Sequence, residues 1–410
     1  MKAAVGRRVL MLLENCPYPQ DNRVCREATT LAAAGYRVVV ICPADPGQPW
    51  HERLDGVQVY RFPAPVAANG FLGYLLEYGH AMAATFVISL WVCWRQGFDV
   101  VHAHNPPDTY VLIAAFYKLF GKRFVYDHHD LAPEMYQARF KDGGKRPVYR
   151  TLIWLERLSC RLADHVIATN QSYKTMEMQR GRAPEARITI VRNGPDLDRL
   201  QPVAPDAALR ETGKTVIGYV GVMGFQDGVD YLLRALRHLV HDLERTDFLC
   251  ILIGKGDAWA RLKDLAEQLD LDAYVWFTGY VSDADLLRYL CTADICVDPD
   301  PSNPFNDRSS MIKMTEYMAL GKPIVAFDLP EHRVTAQDAA VYARPNDESD
   351  FAQHIAWLMD HPKRRESMGQ KARERVETAL AWPYQKQHLL DAYETLTAGL
   401  SEGQQVSPAD

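Results

Sequence analysis

Two short stretches bring histidines and acids together: "HAHNPPD" (His102–Asp108) and "VYDHHDLAPE" (Val125–Glu134). Imidazoles beside carboxylates can ligate a metal, move a proton, or donate hydrogen bonds to a hydroxyl or a phosphate. They can also cap a strand and do nothing more. Neighbouring residues on a strand face opposite ways, so His128 and His129 cannot both ligate one ion while the strand continues. His102 and His104 share a face, but no spacing here matches a helical metal motif. A histidine that hydrogen-bonds or moves a proton at a strand end is the favoured reading, with no metal.

A third stretch, "PSNPFNDRSSMIKMTEYMALGKPIVAFD" (Pro301–Asp328), carries a fuller arrangement. A turn-rich loop leads to Ser309 and Ser310, which read as a helix start, and Gly321 ends the helix before an apolar strand. Amides near Ser310 and Met311, with Lys313 one turn on, predict an electropositive pocket for phosphates. Glu316, a further turn along, is placed to accept both hydroxyls of a ribose. The stretch "GYVGVMGFQDGVDYLLRA" (Gly218–Ala235) reads as strand, glycine turn and helix. Its Gly221 and Gly224 permit an anion near the backbone, or simply close packing of strand on helix. The glycine spacing is not the dinucleotide fingerprint.

The elements that must position these residues follow from the apolar pattern. Short β-rich runs alternate with helix-length amphipathic segments, which predicts parallel sheets covered on both faces. The alternation lapses over the proline- and charge-rich Pro195–Thr212, read as a linker, and then restarts. The expected architecture is α/β, with two doubly wound Rossmann-like domains facing a cleft. Residues 1–200 form the first domain and 201–378 the second, and 379–410 hold a helix returning to the first domain and a polar tail. Ligands of such sheets bind beyond the carboxyl ends of the strands, where all the motifs above lie.

Composition narrows the class further. The chain has 410 residues, 48% apolar and 24% charged, with a formal net charge of −6. That balance suits a globular protein and argues against a general nucleic-acid binder. Eight cysteines lack the spacing of zinc or redox sites and read as reduced thiols of a cytoplasmic protein. The opening "MKAAVGRRVLMLLENCPYP" has too short an apolar run for a secretory signal and reads as a first strand. "AMAATFVISLWVCW" (Ala81–Trp94), at fourteen residues, is shorter than a bilayer span. It reads first as a buried helix and otherwise as a membrane-facing one.

Taken in order, these motifs resemble the two-domain GT-B glycosyltransferases, and among them the retaining family-4 type of bacterial surface-polysaccharide assembly. "DNRVCREATTLAAAGYRVVVIC", "DVVHAHNPPD", "FVYDHHDLAPE" and "EYMALGKPIVA" carry the resemblance, over about residues 8–378. It implies transfer of a sugar from a nucleotide-sugar donor, expected to be a UDP-sugar, to a saccharide or lipid-linked acceptor with retained configuration. No cofactor and no metal are implied, because the nucleotide sugar is itself a substrate. His129 is then the cleft histidine, with Asp130 and His104 as further catalytic candidates. Glu316 holds the ribose, Ser309, Ser310 and Met311 meet the diphosphate with Gly221 and Gly224, and Tyr280 lies by the base. The acceptor side draws on Asp21, Asn22, Arg23, Asn105 and Asp108.

The sequence departs from the family pattern at several points. Arg308 stands where a first glutamate is expected, with Asp307 beside it. Val222 and Asp227 replace the usual basic residues of the glycine loop, so Lys313, Arg308 and Lys255 are the expected positive charges. Glu331 matches another family glutamate only after a shortened loop. A sugar epimerase or an inverting transferase of the same fold, and a catalytically silent homologue, are the rival readings. The basic "RFKDGGKRPVYR" (139–150) predicts peripheral contact with anionic membrane, or a plain solvated loop.

Overall fold

A computed structural model describes residues 7–64, 70–139 and 144–398. The chain forms two compact units. One comprises the chain up to Gln137, the segment ending at Arg192, and the chain from Gln385 onward; the other is built of Asn193–Tyr384.

The first unit holds an eight-stranded sheet in the order β3-β4-β2-β1-β5-β6-β7-β8. Its strands are β1 Arg8–Leu12, β2 Arg37–Ala44, β3 His51–Leu54, β4 Val57–Pro63, β5 Val100–His104, β6 Arg123–His128, β7 His165–Ala168 and β8 Ile188–Ile190. Between them run α1 Asn22–Ala33, α2 Gly70–Arg95, α3 Val111–Lys118, α4 Ala132–Arg139, α5 Arg146–Leu162 and α6 Gln171–Gln179. Only β3 is antiparallel to its neighbour, pairing with β4. Its polar sequence HERL has no apolar face to bury, which is why periodicity misses it.

The second unit holds a six-stranded parallel sheet in the order β11-β10-β9-β12-β13-β14. After α7 Ala207–Glu211 come β9 Thr215–Val220, α8 Val229–His241, β10 Phe248–Ile253, α9 Trp259–Gln268, β11 Val275–Gly279, α10 Asp283–Thr292 and β12 Ile295–Asp298. Then follow α11 Ile312–Ala319, β13 Ile324–Phe327, α12 Pro330–Ala336, β14 Ala340–Ala343, α13 Glu348–Asp360 and α14 Pro362–Arg375. Strands β9, β10, β12 and β13 are apolar on both sides and sit between two buried clusters, one around Leu232 and Phe248, the other around Met314 and Tyr317. That is the pattern of a sheet covered on both faces.

Three expectations change here. Pro195–Thr212 is not a linker but part of the second unit: Leu200 is buried in its core, and the Val203 and Asp206 amides donate to Cys291 Sγ (3.3 Å) and Thr292 Oγ1 (2.7 Å). The change from first unit to second therefore falls at Arg192/Asn193 rather than at residue 200. The last helix, α15 Trp382–Ala398, returns to the first unit from Gln385, six residues later than expected. Its Tyr393 hydroxyl lies 2.9 Å from His102 Nδ1 under β5. The expected polar tail, residues 399–410, lies outside the described residues. Finally, the apolar run at Ala81–Trp94 belongs to a helix of 26 residues, and only 28% of its Leu76–Arg95 stretch is buried.

Candidate functional site

In the first unit the site grows from the carboxyl ends of β5 and β6, where the parallel register sets His104 opposite Asp127. His104 Nδ1 lies 2.8 Å from Asp127 Oδ2. Arg23, in the first turn of α1, closes a fork on the same carboxylate at 2.8 and 2.7 Å. Its guanidinium also reaches the Val191 carbonyl (2.9 Å) and Glu27 (3.2 Å). The helix start that aims Arg23 inward is fixed by Asp21, whose Oδ1 accepts the Val24 amide at 2.9 Å.

His129 leaves the strand on the same side as Asp127, with its Nδ1 at 3.5 Å from Asp127 Oδ2 and its side chain 10% exposed. Its backbone is clamped. Asn105 Oδ1 accepts the amides of His129 (2.8 Å) and Asp130 (3.1 Å), and Asn105 Nδ2 donates to the Asp130 carbonyl (2.6 Å). His128 turns the other way, to Glu177 at 3.1 Å, as strand alternation requires.

Burial and charge set the protonation states. Burial works against Asp127's charge, but Arg23 and the two histidines hold its carboxyl well below the usual range. Burial lowers His104, although Asp127 opposes it, while His102 is pushed well down by burial and by His104. His129 is raised: burial resists its charge, but the hydrogen bond and charge of Asp127 outweigh that. Burial raises the Asp130 carboxyl. Glu27, His102, His104 and Asp127 could place four ligand atoms within 4.8 Å of one another. The Arg23 guanidinium already bridges both carboxylates there, and it supplies the positive charge a metal would bring.

Several expected contacts are corrected by this geometry. His104 is sealed beneath the site and cannot touch a substrate, so it is a support for Asp127. Arg23 and Asn105 are buried and committed to Asp127 and to the 129–130 backbone. Asp108 is buried too, accepting the Tyr126 hydroxyl at 2.5 Å. None of these three faces an acceptor. Asn22 is exposed at the start of α1, and Asp130 is half-buried beside His129.

The second unit builds its site at the carboxyl ends of β9 to β12. Gly254 follows β10 at φ 124, where an added Cβ would meet the Gly221 carbonyl at 2.0 Å. Gly228 opens α8 at φ 65, where a Cβ would strike the Pro299 carbonyl at 2.0 Å. Only glycine lets these strand ends close up. The two amides expected to meet an anion are both spent internally. The Gly221 amide donates to the Ile253 carbonyl (3.0 Å) and the Gly224 amide to Asp227 Oδ2 (2.9 Å).

α11 begins at Ile312 with Met311 as its N-cap, later than Ser309 and Ser310 suggest. Ser309 is buried, its hydroxyl on the Phe305 carbonyl at 2.9 Å, and the Ser310 hydroxyl donates to Glu331 at 3.3 Å. Lys313 is the largest correction. Rather than facing a phosphate, its ammonium is buried 2.6 Å from Asp300 and 3.3 Å from Asp298, and 5.2 Å above the Tyr219 ring. Burial lowers its pKa, yet those two carboxylates raise it well above the ordinary value. His332 backs the cluster 3.6 Å from Asp298.

Glu316 is held at 3.1 Å by Arg199, which also binds Asp283 through Nε at 2.9 Å. Arg199 went unnoticed in sequence because it stands in what reads as a linker. Lys255 and Tyr280 are exposed at neighbouring strand ends, Arg308 donates to the Pro304 carbonyl, and Asp307 precedes it in a short 3₁₀ turn.

Two doubly wound α/β units, each with its polar residues at the carboxyl ends of parallel strands, define the GT-B class of sugar-transferring enzymes. The chain belongs to the group 1 glycosyltransferases: residues 202–375 match "Glycosyl transferases group 1", and residues 20–194 match "Glycosyl transferase 4-like domain". It is therefore an enzyme of glycan biosynthesis. It is 27% identical over 375 residues to glycogen synthase of Mycobacterium tuberculosis, covering 87% of this chain and 86% of that one. Sucrose-phosphate synthase of Thermosynechococcus elongatus superposes with a TM-score of 0.79 at 19% identity, over 96% of this chain and 100% of the other. Anabaena HepE, solved in complex with UDP, gives 0.72 at 16% identity, over 95% and 100%.

Proposed function

We propose that the chain transfers a glycosyl group from a UDP-sugar, bound by the second unit, to a saccharide or lipid-linked acceptor met by the first, with retention of configuration. The observation that carries this reading is Glu316. It is the carboxylate at the α11 site that stays part-exposed, at 19%, while Asp298 and Asp300 are sealed around Lys313. An acceptor-only group so placed suits a pair of ribose hydroxyls, and the UDP found in a protein of like fold supports the base.

In this reading the bond from the anomeric carbon to the diphosphate oxygen breaks. The acceptor hydroxyl adds on the same face, and its proton goes to the departing phosphate. His129, fixed by Asn105 and Asp127, hydrogen-bonds the sugar near the reacting carbon. Lys255, Arg308 and the first-turn amides of α11 balance the leaving charge, so no metal or other cofactor is required. We place the chain in the cytoplasm, at the inner face of the membrane, a reducing compartment in which its eight cysteines would stay thiols.

The test is thermal stability against UDP-, GDP- and other nucleotide sugars, with magnesium or with chelator. A shift with UDP-sugars that survives chelator and disappears in Glu316→Ala is the expected result. Stabilisation by a divalent metal, with no shift from any nucleotide, would overturn the reading.

A further inference from the structure

The helices that join β4 to β5, β5 to β6 and β6 to β7 carry an outer surface that no catalytic argument uses. The strand order makes all three crossovers run the same way across the sheet, opposite to the step from β1 to β2. Right-handed connections therefore put α2, α3 and α5 in one layer, away from α1. Contacts agree: Phe86 of α2 meets Phe116 of α3 with ring centroids 5.2 Å apart, and α3 packs on α5.

The inner side of α2 is tied to the fold. Thr85 and Ser89 place their hydroxyls 3.2 and 2.8 Å from those of Tyr110 and Tyr117. A helix anchored in this way lies along the sheet and does not leave it to cross a bilayer. Its outer side is a stripe of Val87, Leu90, Trp91 and Trp94, with Trp94 80% exposed. Leu119 and Phe120, just past α3, extend it at 82% and 63% exposure, and Phe120 lies tilted against Phe116 with ring centroids 5.1 Å apart. A soluble surface does not ordinarily leave so much contiguous apolar area uncovered.

Beside it, α5 turns outward Arg146, Arg150, Trp154, Arg157 and Arg161. The one acid in that helix, Glu156, is buried against Arg180. Among the described residues α3 has no acid at all. An apolar stripe with exposed tryptophans, flanked by a helix face whose charges are all basic, has the chemistry of the boundary between lipid headgroups and acyl chains.

We infer that the α2–α3–α5 face docks on an anionic lipid bilayer, with the α2 stripe entering the interface and the α5 arginines meeting the headgroups. A second copy of the chain fits less well, because apposed α5 faces would set arginine against arginine. The inference deepens the membrane part of the proposed function, and its readout is lipid binding rather than sugar transfer. Failure of one is thus distinguishable from failure of the other.

The experiment is co-sedimentation of the full chain with vesicles of phosphatidylcholine alone, or with about a third of the lipid replaced by phosphatidylglycerol. Binding should require the anionic lipid and fall with salt. At roughly fivefold per arginine, Arg150→Ala with Arg157→Ala should weaken it about twenty-five-fold. Val87→Asp with Trp94→Asp should abolish it, with the melting temperature followed as a check on folding. No binding to anionic vesicles, or binding indifferent to both pairs of substitutions, would overturn the inference. So would self-association in the absence of lipid that the same substitutions dissolve.

Discussion

Each unit keeps a buried cation at the carboxyl ends of its strands, but the two are built differently. In the first, Arg23 forks onto Asp127 and has Glu27, His102 and His104 around it. In the second, Lys313 stands as a point charge between Asp298 and Asp300, with His332 behind. The arginine fixes the direction of its carboxylate and, through it, the ring of His129. The lysine fixes charge rather than direction, and the working carboxylate, Glu316, is oriented by a different residue, Arg199. In both units the charges most prominent in the sequence lie beneath the site and hold a neighbour in place.

The comparison breaks first at the cations. Arg23→Ala takes the guanidinium fork from the buried Asp127 carboxylate and should cost about 3–5 kcal/mol in denaturant unfolding. Lys313→Ala should cost less, on the order of 2 kcal/mol, because the lysine makes two point contacts where Arg23 makes a fork and also holds the Val191 carbonyl. Equal losses would mean that direction adds nothing to charge.

A pH series sharpens the contrast through His128. Burial opposes its charge, but Glu177 and Glu156 raise its pKa to about 9. Its stabilising contribution is therefore full below its unfolded pKa of about 6.5 and is lost as pH rises through 9. Stability of the native chain should fall across that window by roughly 3 kcal/mol, and His128→Gln should flatten the slope. An unchanged slope in the variant would remove His128 as its source.

The smallest effect expected on stability is at Asn105, where Asn105→Ala removes the clamp on the 129–130 backbone at a cost of about 1–2 kcal/mol. Its larger consequence should be on turnover. A kcat falling about tenfold or more with KM for the donor nearly unchanged marks a residue that positions His129. A rise in KM alone would place Asn105 among binding groups instead.

Much of this was legible in the residues. The alternation of apolar runs and amphipathic stretches located every strand but β3, and the motifs do fall at the carboxyl ends of strands in both sheets. Glu316 and His129 stood out because their types and spacing are hard to explain by packing. Arg23, Asn105, Asp108 and Lys313 were misread for one reason: a polar residue at a strand end looks the same in sequence whether it turns outward to a ligand or inward to a partner. Arg199 was invisible because nothing local marks a linker-like segment as bound to helices α10 and α11.

The sequence by itself determined the parallel strands of both sheets, their covered faces and the chemistry gathered at their ends, since these follow from local periodicity and residue type. The tertiary structure alone decided which charges are spent on one another, because ion pairs such as Arg23–Asp127 (2.7 Å) and Arg199–Glu316 (3.1 Å) join residues far apart in the chain. It also decided that α2 keeps one apolar side outward. A run of apolar residues records a preference for leaving water, and only the packed fold shows which part of that preference its own core has met.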